Sequence, residues 1–268
     1  MLTSHALLVP HLPTLLLDEH RRHHTPMLEA FAQISERLLA QSPSAVVVLS
    51  ARWSARGPFL VDAGKRHRTL TDYVGLGVEV RYDCDGHPAL SRALVEAGQQ
   101  AGVRVGAARR GVDSGVTVPM HFLAPGRGLP VVPLSLSRRN AEECRAWGRV
   151  VRGVLAAWPE RVAFVVSGLL SYNAHAWSLS RDVPEARVFD EAALESLKRG
   201  DWNALTAPER GLIEKAQPEA ELRHLEVLRG FLTDGVPGEL LCYEALPGVG
   251  AALMVFPIAE TAEARESP

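Results

Sequence analysis

Four short segments of this sequence contain side chains that could bind a metal ion, transfer a proton or bind an anion. His11 lies in a PHLP segment, and Arg52 lies in a VLSARW segment. The other two segments are VDSGVTVP at residues 112–119 and SGLLSYN at residues 167–173. A neutral histidine can bind a metal ion or transfer a proton near neutral pH. An arginine has only donors and remains cationic, so it binds anions and cannot bind a metal ion.

Predicted strands come directly before three of these segments. The apolar runs at residues 6–9, 45–50 and 162–167 are short, and the last two are rich in valine, which is typical of buried strands. Ligand sites in open α/β sheets lie beyond the carboxyl ends of the strands. We therefore expect His11 and Arg52 to lie at such an edge of a sheet.

Strands and helices alternate along the chain. Helical periodicity is found at residues 28–41, 88–101, 141–157, 186–198 and 219–233. Strands separated by helices predict an α/β fold with a mostly parallel central sheet and helices on both faces. Two late strands around an LPGV turn predict a C-terminal antiparallel hairpin. We predict one domain over residues 1–259 and a polar tail over residues 260–268.

Composition argues against several classes of partner. The chain has 268 residues and a formal net charge of −2, so it has no basic surface of the kind that nucleic acids require. No stretch approaches the roughly 20 apolar residues of a membrane helix, and no signal peptide is recognisable. Three scattered cysteines suggest neither a disulfide framework nor a zinc site. A reducing cytoplasm is the expected location.

In their order and spacing the four segments resemble the LigB-type class III extradiol dioxygenase superfamily, which includes the Memo-like proteins. The resemblance covers about residues 6–256. It implies cleavage of catecholic rings with O₂ at an iron(II) ion held by two histidines and a carboxylate, with a histidine nearby as acid and base. On this resemblance His11 matches the first metal histidine, and Glu221 matches the carboxylate ligand.

Three other positions depart from the family pattern. Arg52 stands in place of the second metal histidine, and Ser114 stands where many members have histidine. Tyr172 stands at the position of the acid–base histidine, and tyrosine is a poor base at neutral pH because its usual pKa is about 10. His175, three residues further on, could stand in for that group. Substrate-binding roles are predicted for the following residues: Arg52, Asp113, Ser114 and Thr117.

Two functional hypotheses follow. In the first, the metal centre is lost, Arg52 pairs with Glu221, and no metal is bound. The cleft then binds a small aromatic or anionic molecule, or the protein serves as a non-catalytic subunit in a homo-oligomer or beside a catalytic partner subunit.

In the second hypothesis the protein is an active ring-cleavage dioxygenase or related metalloenzyme with a rebuilt site. His11 and Glu221 hold iron(II) or another divalent metal, and one of three other histidines supplies the third ligand: His5, His121 or His175. His224 also has the spacing to approach the cleft. A generic hydrolase or transferase is disfavoured, because the sequence has no Gly-x-Ser-x-Gly elbow and no phosphate-binding glycine motif.

Overall fold

The computed structural model describes residues 1–73, 75–206, 209–233 and 235–258. The strands are β1 (Leu2–Val9), β2 (Ala45–Ala55), β3 (Phe59–Asp62), β4 (Arg66–His67), β5 (Cys84–Asp85), β6 (Val105–Ala108), β7 (Val131–Ser137), β8 (Val162–Ser167), β9 (Glu239–Leu246) and β10 (Val249–Pro257). The α-helices are α1 (Thr14–His20), α2 (Pro26–Leu39), α3 (Pro88–Gln100), α4 (Ser114–Leu123), α5 (Ala141–Ala157), α6 (Ala174–Ser178), α7 (Pro184–Arg199), α8 (Arg210–Ala216) and α9 (Arg223–Leu232).

One large sheet forms the centre of the molecule, in the order β6-β3-β7-β2-β8-β1-β10-β9. The strands β7, β2, β8 and β1 run parallel to one another. The strand β3 is antiparallel to β7 at the other side of this group, and β10 and β9 are antiparallel additions beside β1. Ser167 of β8 pairs with Ser50 on one side and with Val9 on the other. The carboxyl ends of β1 and β8 are therefore level with Ser50, whereas β2 continues past Ser50 to Ala55, so the strand predicted over residues 45–50 is longer than predicted. The predicted fold class, with its C-terminal hairpin, is confirmed.

Helices cover both faces of the sheet, as predicted. Along β2, Val47 and Leu49 belong to one buried cluster, and Val46 and Val48 belong to the other. A continuous apolar run suits a strand buried on both faces. Helices α5 and α9 pack on the first face, where the rings of Phe164 and Phe231 lie 4.3 Å apart between centroids, and α2 and α4 pack on the second.

The predicted helix over residues 219–233 is wrong at its start. The structure has a 3-10 turn at Glu219–Leu222 and begins α9 at Arg223. Within this turn Ala220, Glu221 and Leu222 have φ values of 50°, 54° and 58°, in the left-handed region. Such a conformation costs an L-residue about 1–2 kcal/mol, so surrounding contacts must hold it.

The described helices include none that is long and apolar enough to cross a membrane. Cys84, Cys144 and Cys242 are free and buried, and burial raises the pKa of the Cys84 and Cys144 thiols to about 12. Residues 259–268, which contain the predicted polar tail, lie outside the described part of the chain, so the domain boundary stays a prediction.

Candidate functional site

A cleft opens where β1 and β8 end, beside the part of β2 that continues past Ser50 and carries Arg52, which was predicted to follow the strand. We call it the His11 cleft; it encloses about 240 Å³, and its lining includes His11, Arg52, Asp72, Ser114, Tyr172 and Trp177. The turns after β1 and β8 are joined, because Gly168 N donates to Val9 O at 3.0 Å. Side chains that are far apart in sequence are thereby fixed around one space.

His11 is paired with a carboxylate that the sequence reasoning missed. Its Nε2 lies 3.0 Å from Glu219 Oε1 and 3.1 Å from Oε2, and both side chains are buried. Leu169 N also donates to Glu219 Oε2 at 2.7 Å, and Glu219 N donates to Leu170 O at 3.0 Å. Glu219 is thus fixed by the turn that follows β8.

The electrostatics of this pair favour two opposite charges. Burial disfavours a charged imidazole, but the Glu219 carboxylate outweighs burial and holds the pKa of His11 above its ordinary value. Burial likewise opposes the Glu219 carboxylate, and His11 overcomes this, so the pKa of Glu219 is lowered. The pairing therefore favours a protonated imidazole and an ionised carboxylate at the base of the cleft.

Glu221, predicted as the carboxylate ligand, is not beside His11. Its side chain is 78% exposed, and its Oε2 accepts from Arg223 at 2.6 Å. The predicted pair between Arg52 and Glu221 is therefore wrong. The reason is the left-handed turn, which sends Glu219 inwards and Glu221 outwards where the prediction assumed a regular helix.

Arg52 pairs with Asp72, a residue that the sequence reasoning did not single out. Arg52 Nε lies 3.4 Å from Asp72 Oδ2. Asp72 also accepts from the backbone N and the Oγ of Ser114, each at 3.0 Å. Burial opposes the guanidinium charge, but Asp72, Tyr172 and Glu219 together raise the pKa of Arg52 above its ordinary value. Arg52 is a fixed cation in the wall of the cleft.

Asp113 and Thr117 lie behind this wall, where they do not line the cleft. They are 1% and 2% exposed. Asp113 Oδ1 accepts from Ser50 Oγ at 2.8 Å, and its Oδ2 accepts from Arg110 at 2.5 Å. The structure therefore gives no support to the substrate-binding role predicted for these two residues. Asp113, at the start of α4, instead contacts Ser50 of β2.

Tyr172 and His175 are separated. Tyr172 is half-buried and lines the His11 cleft. His175 is exposed and lines a different cavity of about 400 Å³, together with Arg181 and Lys215. His175 therefore does not replace an acid–base histidine in the His11 cleft, and the role predicted for it is not supported.

His224 lies near the buried pair. It is fully buried, and neither ring nitrogen makes a hydrogen bond of normal geometry with the described residues. A Cβ on Gly168 would come within 2.5 Å of His224 Cδ2, so only glycine allows this contact. Burial lowers the pKa of His224 to about 4, and the ring is neutral at pH 7.

In their present orientations the described side chains do not form a set of two histidines and one carboxylate around one metal position. Among the described residues no group of three histidine, cysteine, aspartate or glutamate side chains could hold a metal ion. His5 lies on β1 beside Ser4, and His121 pairs with Glu19 at 2.7 Å. Neither lines the cleft, so neither supplies the third ligand that the second hypothesis requires.

Comparison with known proteins agrees with the fold. The family model for the "Catalytic LigB subunit of aromatic ring-opening dioxygenase" matches residues 5–254. "Dioxygenase tasH" of Hapsidospora irregularis is 30% identical over 196 residues, which span 68% of this chain and 59% of that relative. The crystal structure of an uncharacterized protein, JW3007 of Escherichia coli K12, superposes with a TM-score of 0.70 at 21% identity, covering 95% of this chain and 99% of that one. The chain belongs to the LigB family.

Proposed function

We propose that this LigB-family protein is a cleft-binding or partner subunit that does not carry out iron-dependent extradiol ring cleavage. LigB-family dioxygenases generally use a metal such as iron. The observation that carries the proposal is Arg52, which lines the same cleft as His11 and has no lone pair to offer a metal.

Charge supports the same conclusion. A divalent ion about 5 Å from a guanidinium is repelled by roughly 7 kcal/mol at an effective dielectric constant of about 20. Asp72 neutralises part of this charge at 3.4 Å. Glu219, the carboxylate nearest to His11, is already occupied by His11 and by Leu169 N. Little attraction for a metal ion remains.

The described residues that line the cleft also include no free histidine that could transfer a proton. Among the described residues that line the cleft, His11 is the one histidine, and its imidazole is paired with Glu219. The resemblance to extradiol dioxygenases implies that ring cleavage uses an acid–base group besides the metal ligands. The cleft in this proposal binds a ligand, and the protein acts in the cytoplasm as a homo-oligomer or beside a catalytic partner subunit.

The test is metal content after anaerobic loading with iron(II), followed by oxygen consumption with a panel of catechols. We expect substoichiometric iron and no catechol-dependent oxygen uptake in the wild type, and more bound iron in Arg52→His. Arg66→His is the matched control, because Arg66 is exposed, pairs with Asp85 on the small β4–β5 sheet and does not line the cleft. Stoichiometric iron with turnover in the wild type would overturn the proposal.

A second candidate is a rebuilt metalloenzyme, which the unpaired nitrogens of His224 favour. In this candidate, the His224 ring rotates towards Glu219, and His11, Glu219 and His224 then bind a divalent metal ion. Stoichiometric metal that disappears in both His11→Ala and His224→Ala, but remains in Arg66→His, would establish this candidate. Metal loss in none of these variants would remove it.

A further inference from the structure

We infer that Arg52 is an oxyanion receptor and that the His11 cleft binds a single-ring aromatic monocarboxylate, without any need for neighbouring hydroxyl groups on the ring. The inference rests on the proposed function, because it takes Arg52 and not a metal ion as the group that receives the ligand.

The first support is the unused donors of Arg52. Its contact with Asp72 involves Nε alone, and at 3.4 Å it is longer than a normal hydrogen bond. Its two terminal nitrogens have no hydrogen-bond partner in the part of the chain that the structure describes. By contrast, Arg145 uses three nitrogens on Glu142 and Glu226. A guanidinium with free terminal nitrogens fits a carboxylate through two parallel hydrogen bonds.

Asp72 is the positioning residue for this receptor. It is fixed by the two hydrogen bonds from Ser114 and does not depend on Arg52 for its place. Because Asp72 contacts the Nε side of the guanidinium, the terminal nitrogens remain for a ligand. Arg52 is 31% exposed, so its charge is reached from the cleft.

The walls of the cleft suit a planar ring. Tyr73, Tyr172 and Trp177 supply aromatic surface, and Leu12 and Leu76 supply aliphatic surface. Aromatic rings pack favourably in offset or edge-to-face arrangements. The volume of about 240 Å³ is below the ≈ 300–1,000 Å³ of clefts for drug-sized ligands, which favours a molecule with one ring.

The charges around the cleft favour one negative group on the ligand. Asp72 is paired with Arg52 at 3.4 Å and Glu219 is paired with His11 at 3.0 Å, and of these four groups Arg52 is the one with free donors. One carboxylate on the ligand can accept hydrogen bonds from the free terminal nitrogens of Arg52. A second carboxylate on the same ring finds no further free cation among these four groups and is repelled by Asp72 and Glu219.

The experiment is isothermal titration calorimetry with the whole chain in buffer containing EDTA. The probes are benzoate, its neutral isostere benzamide, and the dianion isophthalate. We expect benzoate to bind at least about tenfold more tightly than benzamide, because a hydrogen bond to a charged group contributes about 10- to 100-fold in affinity. We also expect isophthalate to bind more weakly than benzoate.

Variants assign the effect to Arg52. Arg52→Met should bind benzoate at least about tenfold more weakly than the wild type and should keep the weak binding of benzamide. Arg52→Lys should have an intermediate affinity for benzoate, because lysine keeps the positive charge but lacks the two parallel N–H donors of the guanidinium. Arg66→Met is the matched control and should bind as the wild type does. Thermal melting of Arg52→Met checks that this variant is folded.

Equal affinity for benzoate and benzamide, unchanged benzoate binding in Arg52→Met, or no benzoate binding at all would overturn the inference. EDTA keeps the protein free of metal during the titration. Failure of the inference is therefore distinguishable from failure of the proposed function, which is decided by iron content and oxygen uptake.

Discussion

Replacing Glu219 with glutamine tests the buried pair at the base of the cleft. Glu219 accepts from His11 Nε2 through both oxygens and from Leu169 N at 2.7 Å. The amide oxygen of glutamine can still accept from Leu169 N, but the amide nitrogen then faces His11 and the ion pair is lost. Removing one partner of a buried ion pair costs about 3–5 kcal/mol. Because His11 can release its proton, we expect the lower value, about 3 kcal/mol.

The assay is urea denaturation followed by circular dichroism, and the matched control is Glu221→Gln. Glu221 is 78% exposed and pairs only with Arg223, and a change at such a surface position alters the free energy of unfolding by about 0.5 kcal/mol or less. If the two variants lose equal stability, or if only Glu221→Gln is destabilised, the assignment of Glu219 as the inward carboxylate is refuted.

Three other substitutions test the surroundings of the cleft. Burial raises the pKa of Asp190 to about 6 from an ordinary 3.8, so the native state keeps a proton that the unfolded chain releases. The free energy of unfolding of the wild type should therefore fall by about 3 kcal/mol as pH rises from about 4 to 6. Urea denaturation at several pH values should show this fall in the wild type and not in Asp190→Asn. Parallel pH profiles of the two proteins would contradict the prediction. Gly168→Ala puts a Cβ 2.5 Å from His224 Cδ2, which should destabilise the protein by about 2 kcal/mol; an unchanged melting temperature would refute the contact. Ala220→Gly relaxes a residue with a φ of 50° and should stabilise the protein by about 0.5–1 kcal/mol in urea, whereas a loss of stability would argue against the left-handed turn.

The location of the cleft could be predicted from sequence because its determinants are local. The Pro-His turn indicates where β1 ends, and the valine-rich run indicates the position of β2, although β2 extends past the predicted end to Ala55. Parallel pairing of the strands then brings these segments to the same edge of the sheet, regardless of the sequence that connects the strands. This is why His11, Arg52 and Tyr172 were correctly placed around one space.

The identity of the carboxylate could not be predicted in this way. Ala220, Glu221 and Leu222 are not glycines, so their left-handed conformation leaves no sequence signal. It is held by tertiary hydrogen bonds, such as the one from Glu219 N to Leu170 O. On a continuous helix Glu219 and His224 would lie about 140° apart, and the turn removes that restriction. The pairing of Asp72 with Arg52 could not be predicted either, because Asp72 lies in a loop that is held by a hydrogen bond from Ser114 N.

The central position of β1 has a consequence for when the cleft can form. The first strand of the chain lies between β8 and β10, and His11 is separated from Glu219 by 208 positions. At a synthesis rate of about 5–20 residues per second, β1 leaves the ribosome on the order of ten seconds before β8 exists. During that time the apolar edge of β1 has no partner strand on either side. Because long-range pairing of this kind is slow, we expect the cleft to assemble late, and a nascent chain that stops before Glu219 lacks the carboxylate that pairs with His11.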